Sequence, residues 1–142
     1  ITVAVGEVSE ECQRLIRSVE EALYAGIAAV KPGGRIGDIS QAVEQVAVRY
    51  GFGIVREYGG HGIGRDMHEP PRIPNWGPAG RGLKLERGMT LAIEPMFTVK
   101  GSATRLLTDD WTVVTADGSW AAHWEHTVAI TEQGAEILTR AG

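Results

Sequence analysis

The chain has 142 residues, of which 43% are hydrophobic and 23% charged, with a formal net charge of −4 and a pI near 5.6. This length suits one domain, or part of one. The acidic balance and the lack of a basic run argue against nucleic acid as the main partner. No apolar run approaches the roughly 20 residues of a membrane span. The single cysteine, Cys12, permits no internal disulfide and favours a reducing cytoplasm.

The first 30 residues predict a strand and then a long helix. The opening "ITVAV" is typical of a strand, and a chain that starts within a strand is expected to be cut from something longer. The alternative is ordinary processing or a cloning junction. Ser9 can cap the helix that follows, and the Pro-Gly-Gly at 32–34 ends it. The apolar residues of this helix have the three-four spacing of an amphipathic helix: Cys12, Leu15, Ile16, Val19, Leu23, Ile27 and Val30.

A second helix is predicted to begin at Asp38, with Gln41 completing a capping box. Its apolar stripe runs from Ile39 to Tyr50, and Gly51 ends it. Both helices are interpreted as packing elements without catalytic side chains.

The rest of the chain predicts strands. "FGIVREY" and "GMTLAIEPMFTV" are each expected to form one strand, and residues 70–87 an ordered loop. "WTVVTADGSWAAHWEHTVAI" predicts a hairpin that turns at Asp117-Gly118, and "GAEILT" a short final strand. Two helices followed by consecutive strands indicate an α+β fold with a mainly antiparallel sheet.

Three side chains stand out as candidate metal ligands. His61 lies between glycines, which let backbone and ligand come close. Glu94 and Glu125 lie on apolar strands beside small residues, where a carboxylate is costly unless it is paired or binds a metal. One imidazole and two carboxylates suit a borderline divalent ion. The alternatives are a satisfied polar histidine and ordinary acids on an exposed sheet face.

Taken together, several stretches resemble the C-terminal half of a type I methionine aminopeptidase, a member of the pita-bread metallopeptidase family M24. The spacing of "IEPM" and "WEHT" leaves no room for the long insert of type II enzymes. The related prolidases and aminopeptidases P end their site in an "RIED"-like strand instead. The stretches that carry the resemblance are "YGGHGIGRDMHEPP", "ERGMTLAIEPMFTVKG", "DDWTVVTADGSWAAHWEHTVAITEQG" and "EILT".

The resemblance implies a site with two divalent metal ions, of Mn, Fe, Co or Zn, and a reaction that removes the N-terminal methionine of peptides and nascent proteins. It makes His61, Glu94 and Glu125 metal ligands, with Glu94 also shuttling protons. It makes His68 a substrate-binding catalytic residue. Met67 and Trp111 match positions that line the pocket for the methionine side chain.

The resemblance also implies that residues 1–142 are one incomplete domain. The family has five protein ligands, and two of them are aspartates on a hairpin upstream of the first long helix. We therefore expect the missing upstream half to be a partner of this chain, which alone would bind metal weakly and be inactive. The alternative is a non-catalytic pita-bread relative that binds peptides or proteins. Neither nucleic acid nor membrane is expected as a partner.

Overall fold

The computed structural model describes residues 1–140, and within them the chain forms two helices and ten short strands. The helices are α1 (Glu10–Ala29) and α2 (Ile36–Tyr50). The strands, in chain order, are β1 (Gly53–Ile54), β2 (Gly60–Gly62), β3 (Glu69–Ile73), β4 (Thr90–Ile93), β5 (Met96–Thr98), β6 (Thr104–Leu106), β7 (Val113–Thr115), β8 (Ala121–His123), β9 (His126–Thr131) and β10 (Gly134–Ile137).

Both predicted helices are present, and their ends follow from local chemistry. The Ser9 hydroxyl accepts a hydrogen bond from the Cys12 N–H at 3.2 Å, which confirms the N-cap of α1. Gly51 ends α2 with φ of 75°, in the left-handed region that glycine adopts without steric cost. The predicted start of α2 is wrong. The helix begins at Ile36, and Asp38 lies in its first turn, where its carboxylate accepts the Arg35 N–H.

All pairings between neighbouring strands are antiparallel, and three sheets result. The largest has the strand order β10-β9-β4-β2-β3, the second β1-β5-β8, and the third pairs β6 with β7. β3 contains two of the prolines of the predicted loop at 70–87. Its position at the edge of the large sheet explains why missing ladder donors are tolerated there.

Two apolar clusters lie between the helices and the sheets, and Trp124 contacts both. One joins the C-terminal part of α1 to the large sheet, and the other joins α1 and α2 to the second sheet. The first consists of Leu23, Ile27, Val30, Ile36, Ile39, Ile73, Leu85, Leu91, Ile93, Val128 and Ile130. The second consists of Leu15, Val19, Ala22, Val43, Val46, Ala47, Phe97 and Ala122.

The predicted hairpin and the predicted first strand are both wrong, because strand pairing depends on distant partners. The chain does turn near Asp117-Gly118, but β7 pairs with β6 and β8 pairs with β5, so the two flanking strands do not form a hairpin with each other. Residues 1–5 form no strand. This segment is attached instead by the Thr2 hydroxyl, which donates to the His123 carbonyl at 2.8 Å and accepts from the His123 N–H at 3.0 Å.

In the part of the chain that the structure describes, neither helix is long and apolar enough to cross a membrane.

Candidate metal centre

The candidate site lies where the chain crosses twice between the two larger sheets. Glu94 and Pro95 connect β4 of the large sheet to β5 of the second sheet, and Trp124 and Glu125 connect β8 back to β9. Because β4 pairs with β9 and β5 with β8, the two crossings run side by side. The Trp124 N–H donates to the Pro95 carbonyl at 3.3 Å. The topology therefore brings the two glutamates together.

The backbone at Glu94, where the strand ends, is held by a buried side-chain amide. Asn75 is 2% exposed, and its Nδ2 donates to the backbone carbonyl of Glu94 at 2.9 Å. This bond satisfies a carbonyl that leaves the strand ladder at the crossing. Asn75 is thus a positioning residue that the sequence analysis missed, since its side chain reaches Glu94 from a distant loop.

His61 is placed by the register of the large sheet. It pairs with Ala92 on β4, and residue 94 lies on the same face as residue 92, so the imidazole and the carboxylate project to one side. The flanking glycines allow neighbouring strands to approach. A Cβ on Gly60 would lie 2.3 Å from the Ala92 carbonyl oxygen, and one on Gly62 would lie 2.2 Å from that of Pro70.

The carboxylate of Glu94 lies between two imidazoles. Its Oε1 is 3.4 Å from Nε2 of His61, and its Oε2 is 3.4 Å from Nε2 of His123. Nε2 of His123 is also 3.9 Å from Oε2 of Glu125. Glu94, His123 and Glu125 each place one potential ligand atom within 4.8 Å of the others. The side chains of His61 and Glu94 are largely buried, at 14% and 13% exposure.

The tautomer of His61 follows from its other nitrogen. Nδ1 lies 2.8 Å from the Gly62 carbonyl, which can only accept, so Nδ1 carries the proton. In the neutral ring Nε2 then presents a lone pair toward Glu94. A cation between this lone pair and the Glu94 carboxylate, 3.4 Å away, would satisfy both groups. Backbone anchoring of the second nitrogen is typical of metal-binding histidines.

His123 was not singled out by the sequence analysis. Its Nε2 is buried and has no hydrogen-bond partner among the described residues, although the carboxylates of Glu94 and Glu125 both lie within 4 Å of it. The available signal was strand alternation, because Trp124 packs into the core and residues 123 and 125 therefore face the other way. The donor set of nitrogen and oxygen atoms, and the unpartnered His123 nitrogen, fit a divalent metal ion.

The remaining predicted site residues lie at different distances from this cluster. The rings of His68 and His61 are 4.3 Å apart, and both residues line a cavity of about 270 Å³ with Glu94. Met67 and Trp111 are 71% and 86% exposed, so neither is enclosed by a pocket in this structure. Their role stays a prediction.

A larger apolar cavity of about 380 Å³ adjoins the cluster. It shares Tyr58 and Met96 with the small cavity, and His123 lies in its wall. Val55, Val113 and Ala122 contribute further apolar surface. The cluster of ionisable groups therefore has an apolar space directly beside it.

Helices packed on antiparallel sheets give the α+β pita-bread fold, as the sequence predicted. Residues 1–132 match the model of metallopeptidase family M24, and the chain belongs to this family.

Curated relatives carry the name methionine aminopeptidase. The chain is 50% identical over 138 residues to that of Clostridium acetobutylicum and 52% identical over 145 residues to methionine aminopeptidase 1 of Mycobacterium tuberculosis. These alignments cover 97% and 98% of this chain but 55% and 54% of the relatives. The chain thus spans about half the length of the curated relatives it matches.

Solved structures agree with the sequence matches. The methionine aminopeptidase of Thermotoga maritima superposes with a TM-score of 0.94 at 48% identity, covering 96% of this chain and 55% of that one. The prolidase of Pyrococcus furiosus is more distant, with a TM-score of 0.73 at 27% identity over 99% of this chain and 36% of its own.

Proposed function

We propose that this chain is the C-terminal part of a methionine aminopeptidase, which hydrolyses the bond after the N-terminal methionine of peptides and nascent proteins. The observation that supports this most is the Glu94 carboxylate, held between two imidazole nitrogens within an M24 fold. Nascent chains carry their initiator methionine in the cytoplasm. Together with the single Cys12, this makes the cytoplasm the proposed location.

The proposed metal ligands are His61, Glu94 and Glu125, and the metal is Mn, Fe, Co or Zn. Two divalent ions, when bound, would supply an activated water at neutral pH. Glu94 would accept a proton and pass it to the leaving amine, which general acid–base catalysis requires. His68, beside His61, would donate a hydrogen bond to the substrate carbonyl.

Substrate selectivity is proposed to reside in the apolar space beside the cluster. An unbranched thioether fits a pocket walled by aliphatic, sulfur-containing and aromatic side chains such as Met96 and Tyr58. Met67 and Trp111 are proposed to close this pocket in the complete enzyme. Trp111 is only two residues from Val113, which already lines the cavity.

This pocket assignment predicts the behaviour of Trp111→Ala in the complete enzyme. Discrimination for methionine over smaller first residues should weaken, while metal content stays unchanged. The measurement is kcat/KM for a peptide series that differs in its first residue, with metal analysis alongside. Lost metal with unchanged selectivity would move Trp111 from the pocket to the scaffold.

We further propose that an upstream half completes the enzyme. His61, Glu94 and Glu125 offer two negative charges against about four positive charges on two ions, which is too little to hold both tightly. The chain spans about half the length of its relatives, which leaves room for further ligands in the other half. Residues 1–142 are accordingly proposed to be part of one M24 domain.

The proposed function is tested by methionine release from a short Met-Ala peptide with manganese or cobalt present. The 142 residues alone should release none, and addition of the upstream half of a close relative, in trans, should restore turnover. No turnover with the upstream half, despite bound metal and measurable peptide affinity, would instead favour a non-catalytic peptide-binding relative. Full turnover by the 142 residues alone would falsify the half-site proposal.

A further inference from the structure

His61 and His123 both face the Glu94 carboxylate, and of these two only His123 lies outside the proposed ligand set. It ends β8, directly opposite Met96 on β5. Its backbone is held on both sides by the Thr2 hydroxyl, which accepts from its N–H and donates to its carbonyl. The residue is therefore fixed in position before any ligand arrives.

The side chain of His123 ends among carboxylate oxygens. Its Nε2 lies 3.4 Å from Oε2 of Glu94 and 3.9 Å from Oε2 of Glu125. Ordinary N–H···O hydrogen bonds measure about 2.7–3.2 Å, so both distances are too long for a good hydrogen bond. The nitrogen is buried without a partner among the described residues, which is rare for a polar atom.

The same distances suit ligands of one metal ion. Nitrogen and oxygen ligands about 2.0–2.2 Å from a tetrahedral ion lie about 3.3–3.6 Å from each other. The separation of 3.4 Å from Glu94 falls in this range, and the separation of 3.9 Å from Glu125 exceeds it by a few tenths. Glu125 is 40% exposed, so a small side-chain rotation can close the difference.

We propose that His123 is a metal ligand, which binds one divalent ion through Nε2 together with Oε2 of Glu94 and Oε2 of Glu125. His61 faces the other oxygen of Glu94, so a different imidazole lies next to each carboxylate oxygen. The inference rests on the proposed function for its setting, because it adds a nitrogen ligand to that same centre. It gives the described chain a three-ligand site of its own.

The test is Co²⁺ binding to the 142-residue protein. Calorimetry measures the affinity, and the visible absorption of the bound cobalt reports on its ligands. His123→Gln should lower the affinity roughly tenfold or more and change the absorption bands. His126→Gln is the matched control. His126 is bonded through Nδ1 to the Thr139 hydroxyl at 2.8 Å and packs against the Tyr24 ring. This control should retain the wild-type affinity and spectrum.

A second measurement needs no variant. The wild-type protein with ¹⁵N-labelled histidine and one equivalent of ¹¹³Cd²⁺ should show cadmium coupling to Nε2 of His123. Absence of this coupling with cadmium bound would overturn the proposal, as would unchanged cobalt affinity in a folded His123→Gln protein. If metal binding depends on His123 but no methionine is released when the upstream half is added, the result counts against the proposed function alone. If methionine is released but metal binding does not depend on His123, the result counts against this inference alone.

Discussion

Glu94 is the residue on which the candidate centre depends. Each of its carboxylate oxygens faces an imidazole nitrogen at 3.4 Å, and its backbone carbonyl is held by Asn75. The side chain is only 13% exposed, and the carboxylate of Glu125 belongs to the same cluster. Carboxylates brought together repel each other unless a cation lies among them, and at Glu94 little solvent is present to screen the charge. The local electrostatics therefore favour an occupied centre over a metal-free one.

The charge of Glu94 predicts opposite effects of Glu94→Gln with and without metal. Without metal, the variant should be as stable as the wild type or more stable, because one of the crowded carboxylates is gone. With Co²⁺ at about 100 times its Kd, the wild type should gain about 2.7 kcal/mol of unfolding free energy, and the variant should lose most of this gain.

Urea unfolding in the presence of a chelator and in the presence of cobalt measures both effects. Glu132→Gln is a matched control, because its side chain is exposed and pairs with Arg87 at the surface. It should respond to cobalt as the wild type does. An equal cobalt-dependent gain in Glu94→Gln would show that the ion binds elsewhere.

The sequence identified part of this centre because some residues conflict with their surroundings. Glu94 is an acid in an apolar stretch of sequence, and His61 stands among glycines. Asn75 carries no such local signal, because its partner Glu94 is 19 residues away, and the signal at His123 is only the strand alternation that it shares with Glu125. Gly60 and Gly62 serve strand packing, because a side chain there would collide with neighbouring backbone.

At the scale of elements, helix ends were predictable and strand pairing was not. The caps Ser9 and Gly51 depend on residues within one turn, so local chemistry determines them. The stretch "GMTLAIEPMFTV" instead divides into β4 and β5, which belong to different sheets. That division at Glu94-Pro95 depends on pairing with β9 and β8, which follow later in the chain.

The start of α2 shows how one carboxylate joins two segments. The oxygens of Asp38 accept the Arg35 N–H at 2.8 Å and the Gly80 N–H at 2.7 Å. These backbone hydrogen bonds lower the pKa of Asp38 below its ordinary value, and the bond from Arg35 has the larger effect. The helix is thereby tied to the loop between β3 and β4.

Asp38→Ala should therefore lower the free energy of unfolding by about 1 kcal/mol, the usual cost of a lost helix cap. Because the folded pKa is lowered, this contribution is present above the ordinary aspartate pKa and is lost as the pH falls through the folded value. Denaturant melts at neutral pH and near pH 3 should show the gap between wild type and variant shrinking at the acid end. Asp38→Asn keeps one acceptor oxygen, so its free energy of unfolding should fall by less than that of Asp38→Ala.

At the scale of the whole molecule, the chain exposes an apolar cleft beside its first residues. The cleft has a volume of about 590 Å³ and runs between the segment 2–8, the start of α1 and Trp120. Val3, Val5 and Trp120 are all more than half exposed. Contiguous apolar surface of this kind marks an interaction site or an aggregation risk. This surface agrees with the proposal that an upstream half covers part of the molecule.

Trp120→Ser should accordingly reduce self-association of the isolated chain without lowering its metal affinity. Sedimentation velocity at several protein concentrations measures the change. Val48→Ser is the comparison variant, because Val48 is 73% exposed on α2 and does not line this cleft. Equal effects of both substitutions would indicate a general gain in solubility, and the cleft would then have no special role.

The most direct test of the central claim is an anomalous diffraction map of crystals of the 142-residue protein grown with Co²⁺. We expect a cobalt peak at the sheet crossing, about 2.0–2.2 Å from carboxylate oxygens of Glu94 and Glu125 and from an imidazole nitrogen of His61 or His123. A map whose cobalt peaks all lie away from Glu94, in protein saturated with the ion, would contradict it.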